Sequence, residues 1–166
     1  MKSSKLVLTS VIAAISLGVY AIESLIPPII PIPGVKLGLA NAITLIALYV
    51  LGAKCAFGVL FVRIFVSSLL FGQPISLIFS ISGGLMSFGV MFFLKRFMDE
   101  ENIWAISVFG AFAHNLGQII AAIIITGQLG VAYYFLFLVI SSVVTGVFTG
   151  LCAQNAIKKL KNLKFL

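Results

Sequence analysis

Charge is scarce in this chain of 166 residues: 9% of them are Asp, Glu, Lys or Arg, and only four are acidic. A soluble globular domain carries about a quarter of its residues as charges. With 61% hydrophobic residues and a mean hydropathy of +1.24, that class is excluded. Carboxylates are equally informative by their absence. Asp99, Glu100 and Glu101 form the single acidic run, which reads as a solvated turn, so there is no cluster to hold magnesium against a diphosphate. No glycine-rich phosphate loop is present, which excludes an ATPase activity of the chain's own. The two cysteines, Cys55 and Cys152, lack metal-site spacing and read as small apolar fillers. No catalytic residue, metal or cofactor is expected, and any enzymatic activity would lie in partner chains.

What the chain has is long apolar runs. Six segments recur with short polar breaks, approximately Leu6 to Ile26, Leu37 to Ala53, Cys55 to Phe71, Ile75 to Leu94, Trp104 to Thr126 and Val131 to Ala153. About 20 apolar residues are needed to cross a hydrocarbon core of roughly 30 Å. The expected fold is therefore all-α: one integral membrane domain over residues 1–166 with six transmembrane helices. Lys2 and Lys5 before the first run imitate a secretory signal, but the run exceeds the usual h-region of about 7 to 15 residues and reads as a first membrane helix.

Basic residues orient the bundle, because cytoplasmic loops carry the excess of Lys and Arg. Lys2, Lys5, Lys54, Lys95, Arg96, Lys158, Lys159, Lys161 and Lys164 all fall on one side, nine of eleven. Both termini are thus expected in the cytoplasm, in a multi-pass cell-membrane protein. The net charge of +7 is accounted for by topology and anionic lipid headgroups, with no nucleic-acid partner.

Two basic residues stand apart. Lys36 lies at the external mouth of the second segment, and Arg63 lies inside an apolar run. An arginine at the centre of a lipid-facing helix costs about 2.5 to 3.5 kcal/mol on insertion scales, so it is expected to face the protein interior or a water-filled cavity. Other polar residues converge on the same level. In the fifth segment, helical spacing places His114, Gly117, Gln118 and Ala121 on one face, with Asn115 adding a third strong hydrogen-bonding group. In the first segment Ser16, Tyr20 and Glu23 share a stripe, and Asn41 lies about one turn below Lys36. Gly72-Gln73 and Gly127-Gln128 are 55 residues apart, and the same offset superposes Arg63 on Gln118. That echo argues that the two occupy similar depths.

Glu23, Lys36, Asn41, Arg63, His114, Asn115 and Gln118 are therefore the candidate ligand-binding residues, lining a pocket open to the outside. One carboxylate cannot balance Arg63, Lys36 and His114, so an anionic ligand suits the bidentate fork of Arg63. The competing reading is internal glue, with Arg63 paired to Glu23 and the amides bonding between helices. Tyr20, Tyr133, Tyr134 and Phe135 would pack a ring or chain, or form an interfacial belt. Pro27 to Gly34, with four of the five prolines, cannot continue a helix and reads as an external loop, either a lid or a rigid connector. Ser10, Ala14 and Gly18 repeat every four residues on a separate face, a small-residue stripe that lets another helix approach.

The stretch Pro33-Gly34-Val35-Lys36-Leu37-Gly38-Leu39-Ala40-Asn41 resembles the Gx transporter family, also labelled heptaprenyl diphosphate synthase component I. So do Arg63 with Ser67-Ser68-Leu69-Leu70-Phe71-Gly72, Ser82-Gly83-Gly84, and His114-Asn115-Leu116-Gly117-Gln118. That family is similar to the substrate-binding S components of energy-coupling factor transporters. The resemblance implies six helices with both termini inside, a small-molecule ligand capped by external loops, and docking of a transmembrane coupling subunit on the first-helix stripe. ATPase subunits would be separate chains. The alternative is a non-catalytic membrane accessory subunit of a heptaprenyl diphosphate synthase, held through the Lys95 to Glu101 loop and the basic tail.

Overall fold

The computed structural model describes residues 3–26, 39–71 and 74–162. They form six α-helices: α1 (Ser3–Ser24), α2 (Ala40–Val50), α3 (Ala53–Phe71), α4 (Pro74–Leu94), α5 (Ile103–Thr126) and α6 (Phe135–Asn162). Short 3₁₀ helices at Glu100–Asn102 and Leu129–Tyr134 lead into α5 and α6. No strand occurs among the described residues. In lipid, a helix satisfies its own backbone groups, which is why such apolar runs take this form. The protein is an all-helical polytopic membrane protein, and among the described residues five helices are long and apolar enough to cross a bilayer.

The second segment departs from expectation. Among the described residues of the run expected over Leu37 to Ala53, α2 covers Ala40 to Val50, 11 residues, about 16 Å at 1.5 Å per residue. Its end is set by Gly52, whose φ of +88° is a left-handed conformation favouring glycine. The chain turns sharply there and α3 begins at the next residue. The last segment differs in the opposite sense. It begins four residues later than expected and runs nine residues further, to Asn162. Ile157 remains buried on one face while Lys158, Lys159 and Lys161 are exposed on the other, so the amphipathic pattern continues beyond the apolar run. Helix α1 starts earlier and stops two residues sooner than expected, at Ser24.

Glycines set how closely α4, α5 and α6 pack. A Cβ on Gly146 would lie 2.6 Å from Cα of Val108, and one on Gly150 would lie 2.6 Å from Cα of Trp104. Helix α6 therefore meets the backbone of α5 directly, as small residues permit in membranes. Across α4 and α5, a Cβ on Gly117 would lie 2.7 Å from the Ser82 carbonyl oxygen, and Ser82 Oγ donates to the Gly117 carbonyl at 2.7 Å.

The larger apolar cluster, including Leu45, Leu48, Ile103, Ile106 and Ile157, fills the half of the bundle where α2 ends and α5 begins. Lys95 marks that end: its Nζ donates to the Leu48 carbonyl at 2.7 Å, a cation on the last turn of α2. The other half holds a smaller cluster of Phe79, Ile119, Ala121, Ala122 and Leu138. Beside it lie the buried polar side chains.

Candidate functional site

Arg63 is 3% exposed, on the inward face of α3. One turn on, at the i+4 position, Ser67 faces the same way. Gly84 of α4 makes room for the guanidinium: a Cβ there would lie 3.5 Å from Nη2 of Arg63 and 2.9 Å from Cδ1 of Ile64. Gly83 does the same for His114 of α5, since its Cβ would meet the imidazole at 2.8 Å. Two adjacent glycines thus admit the two cation-capable side chains.

These groups face one small cavity. Helix α1 contributes Tyr20 and Glu23, α3 contributes Arg63, Ile64 and Ser67, α4 contributes Ser80, and α5 contributes His114 and Gln118. Its volume is about 10 Å³, room for a single water molecule. Asn41 braces the site from α2: its Oδ1 accepts from Arg63 Nη2 at 3.1 Å. Arg63 Nε and Asn41 Nδ2 are buried and make no hydrogen bond among the described residues.

Glu23, Arg63, His114 and Gln118 thus come together, with Asn41 touching them through Arg63. Arg63 and Gln118, paired by the 55-residue offset, line the same space. Asn115 points elsewhere. Its Nδ2 donates to the Leu138 carbonyl of α6 at 3.0 Å, because one residue beyond His114 is about 100 degrees around the helix. Lys36 and the Pro27 to Gly34 loop lie outside the described residues, and the surplus positive charge expected at the site rests on Lys36. Tyr133 is 85% exposed, and Phe135 packs edge-on against Phe112 with centroids 5.4 Å apart. Of the four aromatics, only Tyr20 lines the cavity. Ser67 and Ser80 also line the cavity, beyond the candidate residues that the sequence points to. Their signal is helical spacing: Ser67 follows Arg63 by four, and Ser76, Ser80 and Gly84 follow one another by four.

The small-residue stripe of α1 is on the outside of the bundle. Ser10, Ala14 and Gly18 are all exposed, and nothing lies within 4 Å of a Cβ built on Gly18.

The family model described as heptaprenyl diphosphate synthase component I matches residues 12–156. The chain belongs to that family. The match covers every residue of the cavity and the four motifs that carry the Gx resemblance. No curated protein and no solved structure matches the chain. As a synthase component I, a member of this family is one part of a larger assembly.

Proposed function

We propose that the chain is the ligand-capturing membrane subunit of an importer of the energy-coupling factor type, taking a small anionic or amphipathic molecule from the external side. Both termini and Lys54, Lys95 and Lys158 lie in the cytoplasm in this reading, and the polar cavity opens outward in the cell membrane. The observation that carries it is the burial of Arg63 in a cavity shared with Glu23, His114 and Gln118, with Nε unsatisfied. A buried donor without a partner costs about 1 to 3 kcal/mol, more when charged. A carboxylate or phosphate accepting from Nε would remove that cost and use the planar fork.

The cavity's volume of about 10 Å³ describes a closed state, so the walls must part for a ligand. Helix α1, which brings Tyr20 and Glu23, is the wall whose other face carries the exposed stripe of Ser10, Ala14 and Gly18. A coupling subunit docked on that stripe would act on the site through one rigid helix. ATP hydrolysis would be supplied by separate subunits.

Native mass spectrometry of the purified chain tests the reading. A small molecule retained by the wild type and lost from folded Arg63→Gln protein is the expected result. Equal retention by both would make Arg63 internal glue.

The family description supports a second reading, a non-catalytic accessory subunit of a heptaprenyl diphosphate synthase. Affinity purification from membranes separates the two: a soluble synthase recovered without coupling or ATPase subunits favours the accessory role.

A further inference from the structure

A second feature lies around α3 from the polar cavity, with Ile64 as the wall between the two. A crevice runs between α3 and α4 there, in two stretches of about 420 Å³ and 240 Å³ that share Phe57 as a wall. The stretch nearer the middle of the bundle is lined by apolar side chains alone, among them Phe61, Phe65, Ile81 and Leu85. The other stretch is walled by Phe57, Phe88 and Phe92 and ends at Lys54.

The aromatic walls are ordered against one another. Phe57 meets Phe88 edge-on with centroids 5.7 Å apart, and Phe88 stacks on Phe92 at 6.2 Å. At the charged mouth there are two cations. Lys54 lines the crevice, and the Arg96 guanidinium sits 4.8 Å from the centroid of Phe92. Lys95, the next basic residue, is held by the Leu48 carbonyl. The crevice is therefore apolar along its length and cationic at one end only.

Its length is informative. Lys54 and Phe65 are eleven residues apart on α3, about 16 Å along the axis. Half of a hydrocarbon core of roughly 30 Å is about 15 Å. A slot one leaflet deep, walled by bulky side chains that keep another helix's backbone away, has the shape of a single extended hydrocarbon chain.

We propose that the α3/α4 crevice is a binding site for one anionic phospholipid of the leaflet on the Lys54 side. One acyl chain lies along Phe57, Phe61 and Leu85, and the phosphate headgroup is held by Lys54 and Arg96. The site is separated from the ligand cavity by Ile64, and the proposal does not rest on that cavity's role. It also explains why a basic residue stands at the first turn of α3, the end of a helix that does not favour cations.

The test uses the full chain reconstituted in nanodiscs of equal parts phosphatidylglycerol and phosphatidylcholine, then released for native mass spectrometry with lipid counting. Wild-type protein is expected to retain one phosphatidylglycerol in preference to phosphatidylcholine. Lys54→Gln is expected to lower that preference about fivefold, the effect of one basic residue at an anionic surface. Leu85→Trp, which fills the slot at a half-exposed position, is expected to lose the retained lipid of either headgroup with an unchanged melting temperature. Equal retention of the two lipids by the wild type overturns the proposal. So does full retention of phosphatidylglycerol by folded Leu85→Trp protein, or, if that variant does not fold, an unchanged preference in Lys54→Gln.

Discussion

Arg63 of α3 donates from Nη2 to Oδ1 of Asn41 on α2 at 3.1 Å, and both side chains are buried. The bond ties the short second helix to the charge at the centre of the molecule. A hydrogen bond to a charged group is worth about 1.5 to 3 kcal/mol, and stranding the charge is the more costly loss. Asn41→Leu is expected to lower stability by about 2 to 3 kcal/mol. The double variant Arg63→Met with Asn41→Leu should recover most of it, because both partners are then apolar. A double-mutant cycle on chemical denaturation in detergent measures the coupling, and additive effects would show that the bond contributes nothing.

The α4–α5 crossing is predicted to tolerate no side chain at its glycines. A Cβ on Gly83 meets the His114 ring at 2.8 Å and one on Gly117 meets the Ser82 carbonyl at 2.7 Å. Overpacking of this kind costs about 1 to 3 kcal/mol. Gly89→Ala is the control, since nothing lies within 4 Å of its Cβ, and it should be neutral or stabilising by about 0.4 to 1 kcal/mol. Thermal melting of the three alanine variants checks the ordering.

The contacts at the Lys95 end of the bundle are expected to differ in weight. Lys161 and Glu100 form an ion pair whose side chains are 40% and 55% exposed, so Glu100→Gln should change stability by less than about 1 kcal/mol. Lys95→Met removes the donor from the Leu48 carbonyl and should cost more. If the two variants melt alike, the Lys95 contact is no more than a surface interaction.

Partner docking on α1 is predicted to be separable from folding. Gly18→Leu adds bulk where nothing lies within 4 Å, so its melting temperature should match the wild type. Recovery of coupling and ATPase subunits in pull-downs should fall sharply. Normal recovery from Gly18→Leu would remove the stripe from the proposed interface.

Much of the site was legible because helical periodicity survives in the bundle. Tyr20 and Glu23, three residues apart, do face the cavity together, as do His114 and Gln118. The same rule separates Asn115 from His114: adjacent residues are about 100 degrees apart, although residue type alone groups them. Ser80 was less visible: a serine in an apolar helix is common, and only the facing arginine gives it meaning. The reach of Arg63 depends on Gly84, on another helix and 21 residues away, a relationship that no local pattern contains.

By itself the sequence determined the helices, their number and the scarcity of charge that confines them to a membrane, because each follows from the length and polarity of a single run. Where α2 stops was decided by the fold: the apolar run continues to Ala53, and only the left-handed φ of Gly52 ends the helix at Val50. Tertiary structure decided which polar groups meet. Contacts between α1, α3, α4 and α5 depend on helix rotation and on the closeness that Gly83, Gly84 and Gly117 allow, and those are properties of pairs of helices. That is why an isolated arginine in the sequence becomes, in the fold, a guanidinium braced by Asn41 and facing a cavity shared with Glu23.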